Sequence, residues 1–232
     1  MKTNVSSVSN GLKVAGHLHL PDGHTGGRRA AVVVSHPFGG VKEQTAGLYA
    51  QRLAAEGFVA VAFDASYQGE SEGGPRFLGN PFARAEDIRS AVTFLTTREE
   101  VDPERIGALG ICASGGYVPY AAQTERRIKA VAAVSGVDMG ALHREGLGGG
   151  QSEDVIRGML EQPGRDRTAQ ARGEEPRLEK ELFWIDGATH IDLYPDPPTQ
   201  RQDVRRATSG ADAQVAAAVR VIRVVISVSK FV

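Results

Sequence analysis

The 232-residue chain has little cysteine, little net charge and no long apolar run. Its one cysteine, Cys112, cannot form a disulfide within the chain, which favours a reducing compartment and leaves the thiol free. The formal net charge of −1 provides no basic field for nucleic acid or for an anionic membrane. The most apolar window, residues 215–228, carries Arg220 and Arg223 and is too short and too charged to span a bilayer. Because residues 1–10 are polar and lack the apolar centre of a signal peptide, we expect a cytoplasmic protein with neither nucleic acid nor membrane as a partner.

The chain does contain a regular alternation of apolar runs and helical spacing in its first 134 residues. The dipeptide Asn10-Gly11 predicts the turn of an N-terminal β-hairpin. Buried strands are predicted at residues 30–34, 58–63, 106–109 and 128–134, and helices at 48–54, 88–95 and 117–123. Strands that alternate with helices predict an α/β fold, in which a mostly parallel sheet has helices on both faces. With 41% hydrophobic residues, the chain can bury one substantial core.

The segments that follow the predicted strands are the candidates for a functional site, because parallel sheets of this kind bind ligands beyond the carboxyl ends of their strands. These segments are residues 35–40, 64–71, 112–115 and 135–138. Asp64, at the end of its strand, is expected to hydrogen-bond turn amides. Glu43, shortly after the first segment, fits either the site or a solvated first helical turn.

The stretch from Gly110 to Gly116 is the most informative feature of the chain. A strand, a sharp turn with small residues two positions before and after its centre, and a helix are the arrangement of a nucleophile elbow. The turn forces its central residue into a strained backbone conformation and presents that side chain at the N-terminus of a helix. Gly110 and the end of the strand at Leu109 favour Cys112 as the nucleophile, and the helix N-terminus favours its thiolate. In an alternative register, small-x-Ser-x-Gly, Ser114 is the nucleophile.

Two further elements complete a predicted catalytic apparatus. His190 follows a predicted strand at residues 182–185, C-terminal to the nucleophile, where a general base would take the thiol proton and deliver it to the leaving group. The Gly-rich segment 36–40 follows the first parallel strand, and the backbone amides of Phe38 and Ala113 are expected to form an oxyanion hole. Taken alone, this segment also fits an ordinary turn between a strand and a helix.

Four segments make the chain resemble the α/β-hydrolase superfamily, and within it the dienelactone-hydrolase-like group with a cysteine nucleophile: residues 36–40, 64–71, 107–117 and 187–190. The resemblance covers about residues 29–194. It implies a hydrolase that acts on small carboxylic esters, thioesters or lactones through an acyl-cysteine intermediate. It also implies a small-molecule acyl substrate as the partner, with no metal and no organic cofactor.

The chain departs from the pattern of that superfamily in two places. Residues 141–180 contain no strand-like run where the superfamily has the strand before its catalytic acid, and the residues beyond 194 lack the amphipathic closing helix. An internal deletion together with a divergent tail would explain both departures. We therefore expect a sheet that is incomplete at its C-terminal edge, a hydrolase domain over residues 1–194, and a divergent tail over residues 195–232 that packs on this domain or extends from it.

Asp138 is the candidate for the missing acid that would orient His190. It follows the predicted strand 128–134, and its competing interpretation is a loop carboxylate that caps a helix. Glu145 and Asp154 are less well placed. A thiolate depends less on such an acid than a serine does, since cysteine is partly ionised unaided. A Cys–His dyad with reduced activity is therefore chemically competent.

Two other functions stay open at this point. A remnant of the hydrolase fold would keep the pocket without turnover, and the missing acid strand favours it. A peptidase on the same scaffold is also compatible, because a fold does not determine its chemistry. A dehalogenase would need an aspartate in place of Cys112. If residues 215–228 are exposed, they would favour association into a homo-oligomer.

Overall fold

Six strands and five helices make up the residues that the computed structural model describes, which are 1–23, 26–146 and 150–174. The strands are β1 (Lys2–Ser9), β2 (Leu12–His19), β3 (Arg29–Ser35), β4 (Val59–Phe63), β5 (Val101–Ile111) and β6 (Ile128–Val134). The helices are α1 (Thr45–Ala55), α2 (Pro81–Thr96), α3 (Ser114–Ala122), α4 (Met139–Glu145) and α5 (Glu153–Ala171).

The strands form one sheet in the order β1-β2-β4-β3-β5-β6. β3 pairs in parallel with β4 and with β5, and β5 pairs in parallel with β6. β1 and β2 form an antiparallel hairpin, and β2 joins β4 in antiparallel fashion. Asn10 and Gly11 both have positive φ angles, 47° and 79°, as a tight two-residue hairpin turn requires. The predicted α/β fold, with a mostly parallel sheet and an N-terminal hairpin, is therefore confirmed.

The two faces of the sheet carry different side chains, because successive residues of a strand point to opposite sides. In β4, Val59, Val61 and Phe63 belong to the hydrophobic core that also contains apolar residues of α2 and α3. Ala60 and Ala62 alternate with them, are fully buried, and face the opposite side, where α1 contacts β3 and β4. Helices therefore cover both faces of the sheet, with α2 and α3 on one face and α1 on the other.

Two elements next to the predicted site are longer than their sequence pattern indicates. β5 begins at Val101, five residues before the predicted strand, and its pairing with β3 is irregular near Arg29. Residues 102–105 are Asp, Pro, Glu and Arg, so no apolar run indicates this first part of the strand. α3 begins at Ser114, three residues before the predicted helix. Its first three residues are small and have no apolar spacing that would indicate a helix.

The described residues fall into two compact units, residues 1–137 and a second unit that begins at Asp138 and contains α4 and α5. α4 is the helix that the competing interpretation of Asp138 as a capping residue requires, and α5 has 19 residues where Val155, Met159 and Leu160 alone indicate only a short helix. None of the described residues of α5 is buried, and after Leu160 its sequence is largely polar and contains Pro163 and Gly164, so no apolar stripe reveals its full length. The predicted boundary at residue 194, the predicted strand at 182–185 and the apolar window 215–228 lie outside the described residues. No helix within the described ranges is long and apolar enough to cross a bilayer.

His19, on β2, is a buried histidine whose Nε2 has no hydrogen-bond partner among the described residues. Burial, with smaller contributions from the neighbouring charges of His17, Lys2 and the amino terminus, lowers the pKa of His19 to about 4. The unfolded chain takes up this proton nearer the ordinary value of 6.5. The contribution of neutral His19 to stability is therefore complete above pH 6.5 and is lost as the pH falls toward 4.

Between about pH 7 and pH 5, the free energy of unfolding of a His19→Leu variant should fall by about 2 kcal/mol less than that of the wild type. The reason is that leucine cannot take up the proton that stabilises the unfolded wild-type chain. Urea unfolding followed by circular dichroism at the two pH values measures the difference. Equal losses in the two proteins would contradict a buried, neutral His19.

Candidate active site

Cys112 lies in the turn that connects β5 to α3, and its backbone has a left-handed φ angle of 54°. Residues other than glycine seldom hold this conformation unless their surroundings impose it. The Cys112 amide donates to the Val134 carbonyl at 2.9 Å, and the Cys112 carbonyl accepts from the amides of Gly115 at 2.8 Å and Val137 at 3.1 Å. The thiol is free and the residue is partly exposed. The end of β6 and the first turn of α3 thus hold Cys112 in its strained conformation.

Two glycines provide the space that this turn needs. A Cβ atom on Gly110 would collide with the carbonyl oxygen of Ser114, and a Cβ atom on Gly115 would collide with the Cα atom of Gly136. The last residues of β5, the first turn of α3 and the segment after β6 therefore approach one another more closely than any larger residue would allow. This close approach explains why position 110, two residues before Cys112, is a glycine.

Ser114 is the first residue of α3 and is fully buried, with an exposed fraction of 0%. Its hydroxyl donates to the His36 carbonyl at 2.5 Å and lies 2.9 Å from the hydroxyl of Ser35. These hydrogen bonds tie the first turn of α3 to the end of β3. As a result, the loop after β3 is anchored two residues away from Cys112.

The loop after β3 is organised around the buried side chain of His36. Its Nδ1 lies 2.6 Å from the Pro37 carbonyl oxygen, which can only accept, so we assign the ring hydrogen to Nδ1. Nε2 accepts from the Ala65 amide at 3.1 Å and from Arg84 Nη1 at 2.8 Å. Burial and the charge of Arg84 lower the pKa of His36 to about 3, so the ring is neutral at neutral pH. His36 therefore supports the loop and does not serve as its proton acceptor.

The direction of the Phe38 amide follows from the peptide bond that it shares with Pro37. The Pro37 carbonyl accepts from His36 Nδ1 and from the Gly40 amide at 3.0 Å. In a planar trans peptide the N–H points away from the C=O, so the Phe38 N–H is turned away from the His36 side of the loop. The Phe38 carbonyl accepts from Arg84 Nη2 at 2.7 Å, which fixes the next peptide as well.

Helix α2 holds two loops through two buried side chains, Arg84 and Asp87, that are not among the predicted site residues. Arg84 donates to the loop after β3, and Asp87, one turn later, accepts from the Ser66 amide at 2.8 Å and the Ser66 hydroxyl at 2.7 Å. The sequence does contain one indication that these two residues are buried. The apolar stripe of α2, from Ile88 to Leu95, continues backward at helical spacing through positions 87 and 84. Charged residues on a buried stripe indicate buried hydrogen bonds.

A buried lysine and a buried aspartate join the loops after β3 and β4. Asp64 accepts from the Lys42 amide at 2.7 Å, from Lys42 Nζ at 2.8 Å and from the Glu70 amide at 2.9 Å. Lys42 Nζ also pairs with Glu43 at 2.7 Å and with Glu70 at 2.9 Å. Burial alone would lower the pKa of Lys42, but the hydrogen bonds to these carboxylates outweigh burial and raise it. Asp64 thus bonds turn amides as expected, and the half-exposed Glu43 is a partner of Lys42.

The predicted site residues divide between the two units. Cys112, Phe38 and Ala113 lie in the first unit. Asp138 begins the second unit, and its carboxylate accepts from the Ala141 amide at 3.0 Å and caps α4. His190 lies outside the described residues. Within the part of the chain that the structure describes, no three His, Cys, Asp or Glu side chains are grouped to hold a metal ion.

A sheet in this strand order, with helices on both faces and functional candidates at the carboxyl ends of its parallel strands, defines an α/β-hydrolase fold. Residues 14–147 match the model of the dienelactone hydrolase family. This span includes the loops after β3 and β4 and the turn at Cys112. The chain therefore belongs to the dienelactone hydrolase family.

The chain matches only part of the length of each similar protein. The chain is 59% identical over 116 residues to the uncharacterized protein YcjY of Escherichia coli. The matched segment covers 50% of this chain and 38% of YcjY. The chain is also 37% identical over 125 residues to the thiohydrolase aneE of Aspergillus aculeatus. That matched segment covers 54% of this chain and 38% of aneE. The crystal structure of hypothetical protein PA2218 from Pseudomonas aeruginosa superposes with a TM-score of 0.70 at 39% identity, over 75% of this chain and 55% of that one. The chain thus spans less than half the length of the two curated relatives.

Proposed function

We propose that this chain is a hydrolase of small carboxylic esters, thioesters or lactones, with Cys112 as the nucleophile in a nucleophile elbow. The observation that carries the proposal is the left-handed backbone of Cys112 in the turn between β5 and α3. Such strain is maintained only where the surroundings impose it, and it is concentrated at sites of function. The similarity to the thiohydrolase aneE supports thioesters as one of the substrate classes.

The proposed reaction proceeds through an acyl-cysteine. The Cys112 thiolate attacks the carbonyl carbon of the substrate, and the carbonyl oxygen takes up the negative charge of the tetrahedral intermediate. The backbone amides of Phe38 and Ala113 donate to this oxygen. When the intermediate collapses, the bond to the leaving alkoxide or thiolate breaks, the leaving group takes up a proton, and the acyl group remains on Cys112 as a thioester. Water then attacks this thioester and releases the acid and the thiol.

We assign the proton transfers to His190, which would accept the thiol proton, deliver it to the leaving group and later activate water. Asp138 is the proposed acid that orients His190, in competition with its role as the cap of α4. Because a thiolate depends less on an orienting acid than a serine does, Cys112 and His190 form the minimal set in this proposal. The proposed chemistry uses no metal and no organic cofactor.

The surroundings of the two candidate nucleophiles favour Cys112 over Ser114. A nucleophile must meet the substrate carbonyl, and Cys112 is partly exposed while Ser114 is fully buried. The Ser114 hydroxyl is also engaged with the His36 carbonyl, where it supports the loop after β3. We therefore propose a structural role for Ser114.

Mass spectrometry after brief exposure to p-nitrophenyl acetate and an acid quench tests the proposed function. We expect an acetyl group on the peptide that contains Cys112, together with continued release of p-nitrophenolate. An acetyl group on Ser114 would move the nucleophile. A chain that is not acetylated, and whose thiol reacts with iodoacetamide no faster than free cysteine, would be a non-catalytic remnant of the fold.

A further inference from the structure

We propose that Arg84 is a positioning residue of the oxyanion hole, which acts through His36 and the Pro37–Phe38 peptide on the Phe38 amide. The inference rests on the proposed function, because it concerns the amide that would bind the developing oxyanion. Arg84 itself does not contact the substrate in this proposal. Three links carry it: the charge of Arg84, the position of the hydrogen on His36, and the orientation of the peptide.

The first link is a buried cation whose hydrogen-bond acceptors within the described residues are all neutral. Arg84 is 3% exposed, and its Nη1 and Nη2 donate to His36 Nε2 and to the Phe38 carbonyl. Its guanidinium carbon lies 5.9 Å from the centre of the Tyr117 ring. Burial lowers the pKa of Arg84 to about 10, so the group keeps its charge at neutral pH. Burying a charge is costly, and here the shortest hydrogen bonds of that charge go to the loop after β3, with a longer one of 3.5 Å to Gln68 in the loop after β4.

The second link is the hydrogen on His36, whose position Arg84 fixes together with the Ala65 amide and the Pro37 carbonyl. A guanidinium has only N–H donors, and Arg84 Nη1 lies 2.8 Å from His36 Nε2 and 3.4 Å from Nδ1, so the nearer Nε2 is its acceptor. The Ala65 amide, which also points at Nε2, makes the same requirement. The ring hydrogen is therefore on Nδ1, where it donates to the Pro37 carbonyl at 2.6 Å. A change at Arg84 removes the charged donor that stabilises this arrangement.

The third link is the peptide between Pro37 and Phe38. A donor on the carbonyl of a peptide polarises the whole amide group, and hydrogen bonds in a chain strengthen one another in this way. The Phe38 N–H becomes a stronger donor and is held in one direction before the oxyanion forms. The negative charge on the substrate oxygen is larger in the transition state than in the bound substrate. The contribution of Arg84 is therefore expected in kcat more than in KM.

Two substitutions test the role of Arg84, with p-nitrophenyl acetate as the probe. Arg84→Met keeps much of the length and removes the charge, and Arg84→Lys keeps a charge and loses the planar donor group. We expect Arg84→Met to acetylate Cys112 about 10- to 100-fold more slowly than the wild type, with KM changed less than about threefold, and Arg84→Lys to lie in between. Alkylation of Cys112 by iodoacetamide forms no oxyanion, so its rate should change less than about threefold.

The matched control is Arg89→Met, on the same helix. The Arg89 guanidinium bonds the Thr124 hydroxyl at 2.9 Å and pairs with Glu86, so neither of its contacts is with the loop after β3. Both the acetylation rate and the alkylation rate of this variant should match those of the wild type. A loss of acetylation in Arg89→Met as large as that in Arg84→Met would overturn the inference, because it would reflect a general effect of removing charge from α2.

Three results distinguish failure of the inference from failure of the proposed function. Equal acetylation rates in the wild type and Arg84→Met would overturn the inference alone, as would equal losses of acetylation and alkylation in Arg84→Met. A wild-type chain that is not acetylated at Cys112 would overturn both. If both Arg84 variants unfold, nitrogen-15 NMR of the wild type decides between the two outcomes. A scalar coupling across the hydrogen bond from Arg84 Nη1 to a neutral His36 Nε2 supports the inference, and a hydrogen on Nε2 or the absence of that coupling overturns it.

Discussion

Replacement of Cys112 by alanine is expected to lower the turnover of p-nitrophenyl acetate by about 10³-fold or more. The substitution removes the sulfur that forms the acyl intermediate, and the amides of Phe38 and Ala113 with the proposed base His190 would remain to promote direct attack by water. The fold should persist, because the backbone hydrogen bonds that hold position 112 do not involve the side chain. Steady-state release of p-nitrophenolate measures the loss, and thermal unfolding of both proteins checks that the variant is folded.

The matched variant for Cys112→Ala is Ser114→Ala. It removes a buried hydroxyl that donates to the His36 carbonyl, so the expected cost is about 1–3 kcal/mol in the free energy of unfolding. The rate should fall by less than about tenfold, since His36 and Arg84 still hold the loop. Wild-type turnover in Cys112→Ala would refute the assignment, and a large loss confined to Ser114→Ala would transfer the role of nucleophile to Ser114.

The strands and the turn at Cys112 could be predicted because their causes are local in the sequence. A continuous apolar run is enough to indicate a strand that is buried on both faces, and all five residues of β4 (Val59–Phe63), predicted as a buried strand at 58–63, are buried. The turn likewise depends on Gly110, which must be small because the next helix begins four residues later and brings Ser114 against it. No information from distant segments is needed for either inference.

The residues that hold the loops could not be predicted in the same way, because their partners are distant in sequence. His36 and Arg84 are 48 residues apart, and Lys42 and Asp64 are 22 residues apart. The sequence of a helix alone does not distinguish a charged residue that faces solvent from one that bonds a buried loop, because the loop comes from a distant segment. For Arg84 the only sequence clue was its position on the apolar stripe of α2, and that clue indicates burial but not the partner.

The second large effect is expected at Asp64, which joins the loops after β3 and β4. We expect Asp64→Ala to lower the free energy of unfolding by about 3–5 kcal/mol. Its removal leaves the buried ammonium group of Lys42 without its buried counter-charge, and it leaves the Lys42 and Glu70 amides without their acceptor. Urea unfolding followed by circular dichroism measures the loss.

Two further variants separate the charge of Asp64 from its hydrogen bonds. Asp64→Asn keeps a side chain of the same shape with one acceptor oxygen, so it should recover part of the stability that Asp64→Ala loses. Glu70→Gln removes the charge of a partner of Lys42 that is 74% exposed, and exposed ion pairs contribute less than about 1 kcal/mol. If Asp64→Ala cost no more than Glu70→Gln, Glu43 and Glu70 would be sufficient counter-charges for Lys42. The loops after β3 and β4 would then owe their positions to the buried contacts of His36, Arg84 and Asp87.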